Sequence, residues 1–258
     1  MAGGGAPAGS KCGGARGPSM KSVVLMTTYN RPILLGQSLP QVEREALSIG
    51  ANFYIHDDRS DDEGTLALLA GAGARGVDVF SRDYSRPETN LNTHECTGLA
   101  NIFAFKRLLA LDPGWTHLIK VDDDTFWHPG GMRVMVDQYK KAINDEVDVL
   151  CLSGISTTNE IELEDHGSYS ITNSCCNASI IFRREDLESF IATIPLPYII
   201  NDGFDTCFLH RWAKRYRPTA KSVSTKPSVV FHTGLTGVHS RVEINRNFIG
   251  GIDGIIVW

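Results

Sequence analysis

The chain has 258 residues, of which 42% are apolar and 21% charged, and its formal net charge is −5. That length suffices for one large α/β domain with a proper core. The acidic balance removes any general attraction to polyanions, leaving only local basic patches, and no apolar run approaches the roughly 18 residues of a membrane span. The first twenty residues, MAGGGAPAGSKCGGARGPSM, lack the apolar centre of a secretory signal. They read as a flexible Gly/Ala tail, which leaves residues 21–258 as the folded domain. Cys12, Cys96, Cys151, Cys175, Cys176 and Cys207 form no C-x-x-C pair, and a chain of this size needs no disulfide framework. Reduced thiols in a cytoplasmic protein are the expectation.

Ser22–Thr28 is an unbroken β-branched and aliphatic run, which predicts a strand buried on both faces of a parallel sheet. Pro32 opens a helix through Leu39, and Gln41–Ser48 continues helical after Pro40. ANFYIHDD is a second strand that ends in acid. Asp61 or Asp62 caps the helix TLALLAGAG, and VDVFSRD is a short third strand. A helix from about Glu95 to Leu111 follows, with Leu99, Ile102, Phe103, Phe105 and Leu109 on its apolar face. Next come the strand THLIKV and the turn Asp122–Asp124. The second half predicts a helix over Met132–Asn144, the strand VDVLCLSGI and a polar loop over Ser156–Ser168. The strand SIIFRR, a helix over Glu185–Ile194, the helix DTCFLHRWAKRY and the strand SVVFH complete the chain. Strand and helix alternate over the first half, so the expected architecture is a mostly parallel central sheet flanked by helices, with ligands at the strand carboxyl ends.

The segment KVDDDTFWHPGG places three aspartates directly after an apolar strand. Adjacent carboxylates repel, and their burial costs solvation unless something cationic meets them. A D-x-D arrangement suits Mg²⁺ or Mn²⁺, which takes one or two carboxylates and fills its remaining positions with water and substrate phosphates. If the segment stays extended, Asp122 and Asp124 point to the same side. An EF-hand is excluded, because the loop lacks the required Gly and terminal Glu.

TTYNRP after the first strand, IHDDRSDD after the second and KVDDDTFW after the fourth together resemble GT-A glycosyltransferases, in the order and spacing of family 2-like enzymes. The resemblance spans roughly residues 21–240 and implies a single GT-A domain, Rossmann-like. Residues 21–130 would form its nucleotide-sugar half and 131–258 its acceptor half. It implies uracil and ribose contacts at Thr27, Tyr29, Arg31, Asp57 and Asp58, with Asp122 facing the ribose and Asp123 assisting. A carboxylate can accept from the uracil N3–H while Tyr29 or Arg31 covers the ring. Asp124 would bind Mn²⁺ or Mg²⁺, and a late histidine would complete the metal shell: His232 in the form H-T-G, with His239 as the runner-up. Inverting members place a base at the start of a helix beyond the sheet. In NDGFDTCFLHRW that acid is Asp205, with Asp202 as the alternative.

NSCCNASIIFRR stands where the family has a glycine-rich acceptor loop, yet it contains no glycine, so its Cys175, Cys176, Asn177 and Ala178 cannot freely adopt positive φ. The basic run Arg211, Lys214, Arg215, Arg217 and Lys221 is a solvated helix end, or it meets the donor diphosphate or an anionic acceptor. Lys106 and Arg107 decorate their helix. The expected activity is metal-dependent, inverting transfer of a sugar from a UDP-sugar. The acceptor is open among a glycan, a lipid-linked saccharide, a protein side chain and a modified nucleic-acid base. Two alternatives stand beside it: a sugar-nucleotide-forming nucleotidyltransferase, for which TTYNRPILLG is a poor triphosphate loop, and a non-catalytic nucleotide- and metal-binding module.

Overall fold

In the first strand, β1 (Ser22–Thr28), successive side chains enter opposite apolar layers, Val24 and Met26 on one face and Val23 and Leu25 on the other. A segment apolar on both sides is stable only inside a sheet. It pairs in parallel with β2 (Asn52–Asp57) on one side and β4 (His117–Asp122) on the other, as seen in the computed structural model, which describes residues 20–82, 93–156 and 160–233. Within those stretches, the side chains of 93–97 and 200–202 are not described.

Parallel pairing continues from β2 to β3 (Asp78–Ser81). On the other flank β9 (Ser179–Arg183) runs antiparallel between β4 and β6 (Val149–Ser153). β10 (Lys221–Thr225) is parallel to β6, and β8 (Tyr169–Thr172) and β7 (Glu162–Asp165) close that edge in antiparallel fashion. The order is therefore β3-β2-β1-β4-β9-β6-β10-β8-β7. A small second sheet joins β5 (Thr125–Trp127) to β11 (Val230–His232). One face of the large sheet is covered by α1 (Pro32–Ser48), α2 (Glu63–Ala74) and α4 (Gly131–Asn144). The other carries α3 (Thr93–Leu111), α5 (Arg184–Thr193), α6 (Leu196–Asp202), the π-helix Thr206–Trp212 and α7 (Ala213–Tyr216). This is a single α/β domain with the mixed sheet of the GT-A fold. No described helix is long and apolar enough to cross a membrane.

Several elements differ from their expected form. Pro40 lies inside one continuous α1. It is exposed, so water can satisfy the carbonyl freed by its missing N–H. The loop expected over Ser156–Ser168 contains β7, whose four residues are all exposed, so no hydrophobic alternation marks it. β10 is part of a polar run and was not expected either. DTCFLHRWAKRY is not one regular helix but a π-helix followed by α7. Asp62, rather than Asp61, caps α2, its Oδ1 accepting from the Thr65 N–H at 2.7 Å. The tail before Met20 and the loop bearing His239 lie outside the described residues.

α3 and α6 approach closely at Gly98, where a Cβ would stand 2.8 Å from the Ile199 carbonyl oxygen. That contact seats α6, and the helix start after it, against the sheet.

His56 on β2 and His117 on β4 are held near pKa 4, against an ordinary 6.5, first by burial. Arg82 adds to this at His56, and Arg183 and Lys140 add to it at His117. Between those values the unfolded chain binds protons that the folded chain refuses, so stability is full above pH 6.5 and falls as pH drops toward 4. Thermal unfolding followed by circular dichroism should show a lower melting temperature in mild acid than at neutral pH. His117→Gln should make that drop smaller, since it removes one of the two groups.

Candidate active site

Because β1, β2, β3 and β4 are parallel, their carboxyl ends share one rim. Thr27 and Thr28, Asp57 and Asp58, and Asp122 all reach it. The chain does not stay extended beyond Asp122. It turns at Asp123–Asp124 and returns as β5, so Asp122 and Asp124 do not share a strand face. The turn draws Asp123 and Asp124 into the protein, to 3% and 5% exposure. Asp122 keeps 28% of its side chain exposed.

Each aspartate is met by a basic side chain from another part of the chain. Lys120 precedes Asp122 by two residues and so points to the same strand face. It is fully buried among the apolar side chains of the α3 layer, and its Nζ donates to Asp122 Oδ1 at 2.5 Å and to the Asn177 carbonyl at 3.0 Å. Thr27 Oγ1 donates to the same Asp122 Oδ1 at 3.0 Å. Arg31 spans the other two acids, with Nη1 3.0 Å from Asp123 Oδ1 and 2.9 Å from Asp124 Oδ2. Thr28 Oγ1 donates to Asp123 Oδ2 at 2.7 Å. From the far end of the described chain, β11 pairs His232 with Thr125 and brings its Nε2 to 3.1 Å from Asp124 Oδ1.

These placements divide the carboxyls. Burial pushes both upward, and at Asp123 it prevails: with Asp124 beside it and Arg31 offsetting only part, the group stands at about 7. At Asp124, His232, Arg31 and Lys120 outweigh burial and hold the group at about 2. The surroundings thus favour the ionised form at Asp124 and push Asp123 toward protonation.

The second acidic cluster is also built by the turn chemistry of its sequence. Asp57 Oδ1 accepts from the Ser60 N–H at 3.0 Å and the Ser60 hydroxyl at 2.6 Å, and its Oδ2 accepts from Ser81 Oγ at 3.2 Å. It organises its own loop. Asp58 instead faces Arg82 at 3.1 Å, both of them buried. Asn30, at φ 49, accepts on its side-chain oxygen from the N–H groups of Asp61 and Asp62. That left-handed residue ties the first-strand loop to the second and turns the chain so that Arg31 lies over the acids. Tyr29 is half-buried in the same loop. Asn30, Arg82 and Lys120 escaped the sequence reading. The only signal for them was their position at or beside predicted strand ends.

Asp124 Oδ1 and His232 Nε2, now joined at the 3.1 Å of a hydrogen bond, are a carboxylate and an imidazole, both donor types that a divalent ion takes. Among the described residues no group of three or more His, Cys, Asp or Glu side chains gathers as a metal site. A protein contribution of two ligands, the remainder coming from phosphate and water, is the usual arrangement for Mg²⁺-type ions.

Asp202 ends α6, and its side chain is not described. Gly203, at φ 80, makes the turn into the next helix. Asp205 then occupies the N-cap position of the π-helix but makes no side-chain cap hydrogen bond, and it is exposed. Its carboxylate is therefore not spent on capping. The loop without glycine lies at the same rim as the aspartates, for the Asp122 N–H donates to the Ala178 carbonyl at 2.8 Å. Within the basic run Arg217 is engaged, bound to Asp186 and Asp148 at the opposite end of the sheet.

No protein-family profile and no curated protein sequence matches the chain. Its fold does match solved structures. S. aureus TarS superposes with a TM-score of 0.57 at 15% identity, over 83% of this chain and 36% of that one. The TarS 1–349 structure in complex with UDP gives 0.54 at 16% identity, over 80% of this chain and 57% of that one. The chain thus spans well under two thirds of the length of these relatives. At such identity the likeness establishes the fold.

Asp122→Ala should leave the fully buried Lys120 ammonium with only a carbonyl partner. The expected loss of unfolding free energy is about 3–5 kcal/mol. Lys120→Met in the same chain should recover most of that loss, because the buried charge is then gone. Urea denaturation of the two variants reads the difference directly.

Proposed function

We propose that this protein transfers a sugar from a nucleotide diphosphate donor, with UDP as the carrier, to an acceptor hydroxyl. The observation that carries this reading is the meeting of a carboxylate and an imidazole, Asp124 and His232, beside Asp122 at the end of β4, donor types that a divalent ion takes. The UDP held by a structure of the same fold supports the choice of nucleotide. Residues 21–130 supply the nucleotide side in this reading and residues 131–258 the acceptor side.

Each residue then has a task set by its surroundings. Asp58 and Arg82, at the ends of β2 and β3, recognise the uracil edge, with Tyr29 against the ring, while Asp57 shapes their loop. Asp122 has Oδ1 engaged by Lys120 and Thr27, which leaves Oδ2 for the ribose hydroxyls. Asp124 and His232 would hold Mn²⁺ or Mg²⁺, and the ion would supply Lewis-acid neutralisation of the diphosphate's charge. Arg31 lies within reach of the same phosphates, and Asp123 supports the turn through Thr28 and Arg31. Asp205, exposed and uncapped at its helix start, accepts the proton of the acceptor hydroxyl. The new glycosidic bond forms as the anomeric carbon–oxygen bond breaks, its electron pair leaving with UDP. Displacement from the face opposite the leaving group inverts the anomeric centre. Asp202, three residues earlier at the end of α6, is the alternative base.

A UDP-release assay across a panel of UDP-sugars with Mn²⁺, paired with titration calorimetry of UDP, tests the assignment. Asp205→Asn should lower turnover by about 10²–10⁴-fold with UDP affinity kept, because a placed base contributes that much to rate. Asp124→Ala should abolish the Mn²⁺ dependence of UDP binding. Equal release by wild type and Asp124→Ala would sink the metal assignment. UDP binding without transfer or hydrolysis of any donor would favour a binding module.

A further inference from the structure

The helix that starts at Asp205 carries a line of positive charge on its outer side. His210, Arg211, Lys214 and Arg215 are all exposed, while Cys207, Phe208, Trp212 and Ala213 fill the opposite, buried side. His210 with Lys214, and Arg211 with Arg215, are four residues apart and so share a face. Arg211 and Arg215 are a like-charge pair, which weakens a helix at that spacing, whereas Lys141 with Asp145 and Arg184 with Glu188 are opposite-charge pairs. Lys214 and Arg215 make no ion pair among the described residues. Two half-exposed tyrosines flank the line. The Arg211 guanidinium lies 5.2 Å from the ring centre of Tyr198, and that of Arg215 lies 5.4 Å from the ring centre of Tyr216.

The direction of the line matters as much as its charge. Asp205 stands at the helix start, whereas Arg217, just past its end, reaches Asp148 and Asp186 at the amino end of the sheet. The positive stripe therefore begins beside the candidate base and runs away from the rim along the outside of the domain. From Asp205 to Arg215 the helix extends about 12–15 Å, the length of about four stacked nucleotides.

We propose that this face binds a nucleic-acid strand and presents it to Asp205 as the acceptor. Charge complementarity on a protein of net charge −5 singles out a polyanion at this face. Tyr216 is already stacked on Trp212, but the half-exposed Tyr198 beside the Arg211 guanidinium gives the face an aromatic and cationic edge of the kind on which bases stack, which favours a nucleic-acid strand over an acidic peptide. The acceptor role rests on the glycosyl-transfer reading: a hydroxyl on the strand attacks the anomeric carbon, its proton passes to Asp205, and UDP leaves with the bond pair. The binding surface itself does not depend on that reading.

Fluorescence anisotropy with a labelled single-stranded DNA oligonucleotide, at low and physiological salt, decides the matter. The wild-type protein should bind, and its affinity should fall with salt. Lys214→Glu/Arg215→Glu should bind at least about tenfold more weakly, and the neutral pair Lys214→Gln/Arg215→Gln should lower the slope of log affinity against log salt by about 1.4. Tyr198→Ala should weaken binding while leaving that slope unchanged. UDP affinity, measured on the same preparations, should be unaltered in all three variants. No binding by the wild type at low salt overturns the proposal, as does equal binding by the charge variants. Binding of heparin without binding of the oligonucleotide overturns it as well, and marks the face as a sulfated-glycan site. Oligonucleotide binding by a protein that fails to bind UDP would keep the surface and discard the acceptor role.

Discussion

Three carboxylates crowd the end of β4, two of them out of contact with water, and at such separations in a low-dielectric setting their repulsion would open the turn. The fold answers by bringing a basic side chain to each. Lys120 comes from the same strand, Arg31 from 92 residues away in sequence, and His232 from the far end of the described chain. Much of the architecture can be read as the means of delivering them. β1 must lie beside β4 for Thr27, Thr28 and Arg31 to reach the acids, and β11 must return to β5 for His232 to do so.

That electrostatic arrangement also gives the rim its chemistry. Asp122 is left with one oxygen toward solvent, and Asp124 is kept ionised beside a histidine. Asp123 is buried deeply enough to sit near neutrality in its titration. The groups on the opposite face of the sheet have a different origin. Close packing of α3 on α6 at Gly98 and the turn at Gly203 decide where Asp205 begins its helix. The nucleotide-side acids are thus placed by strand pairing, and the candidate base by helix packing.

How much of this was legible beforehand depended on whether a residue's neighbours were local. β1, β2, β4, β6 and β9 announce themselves through apolar runs, and the acids follow directly at the ends of β2 and β4. β7 and β10 do not, because one is wholly exposed and the other is polar while pairing inside the sheet. The π-helix is invisible to periodicity: Phe204, Phe208 and Trp212 recur every four residues, as they would on an α-helix. Asp57 and Asp58 look equivalent in sequence, yet one spends both oxygens on Ser60 and Ser81 and the other faces Arg82.

By itself the sequence determined the strand-and-helix alternation, the rim on which the acids would gather, and the residue types suited to a metal and a diphosphate. These follow from hydrophobic period and from charge placed at strand ends, both of which are local properties. Only the tertiary structure decided that the surroundings favour ionisation at Asp124 over Asp123, which oxygen of Asp122 is engaged, that Asp123 and Asp124 turn inward, and that Lys120, Arg31 and His232 serve them. Those outcomes depend on burial and on partners remote in the chain, since a carboxylate's charge is set by what surrounds it and not by which residues adjoin it.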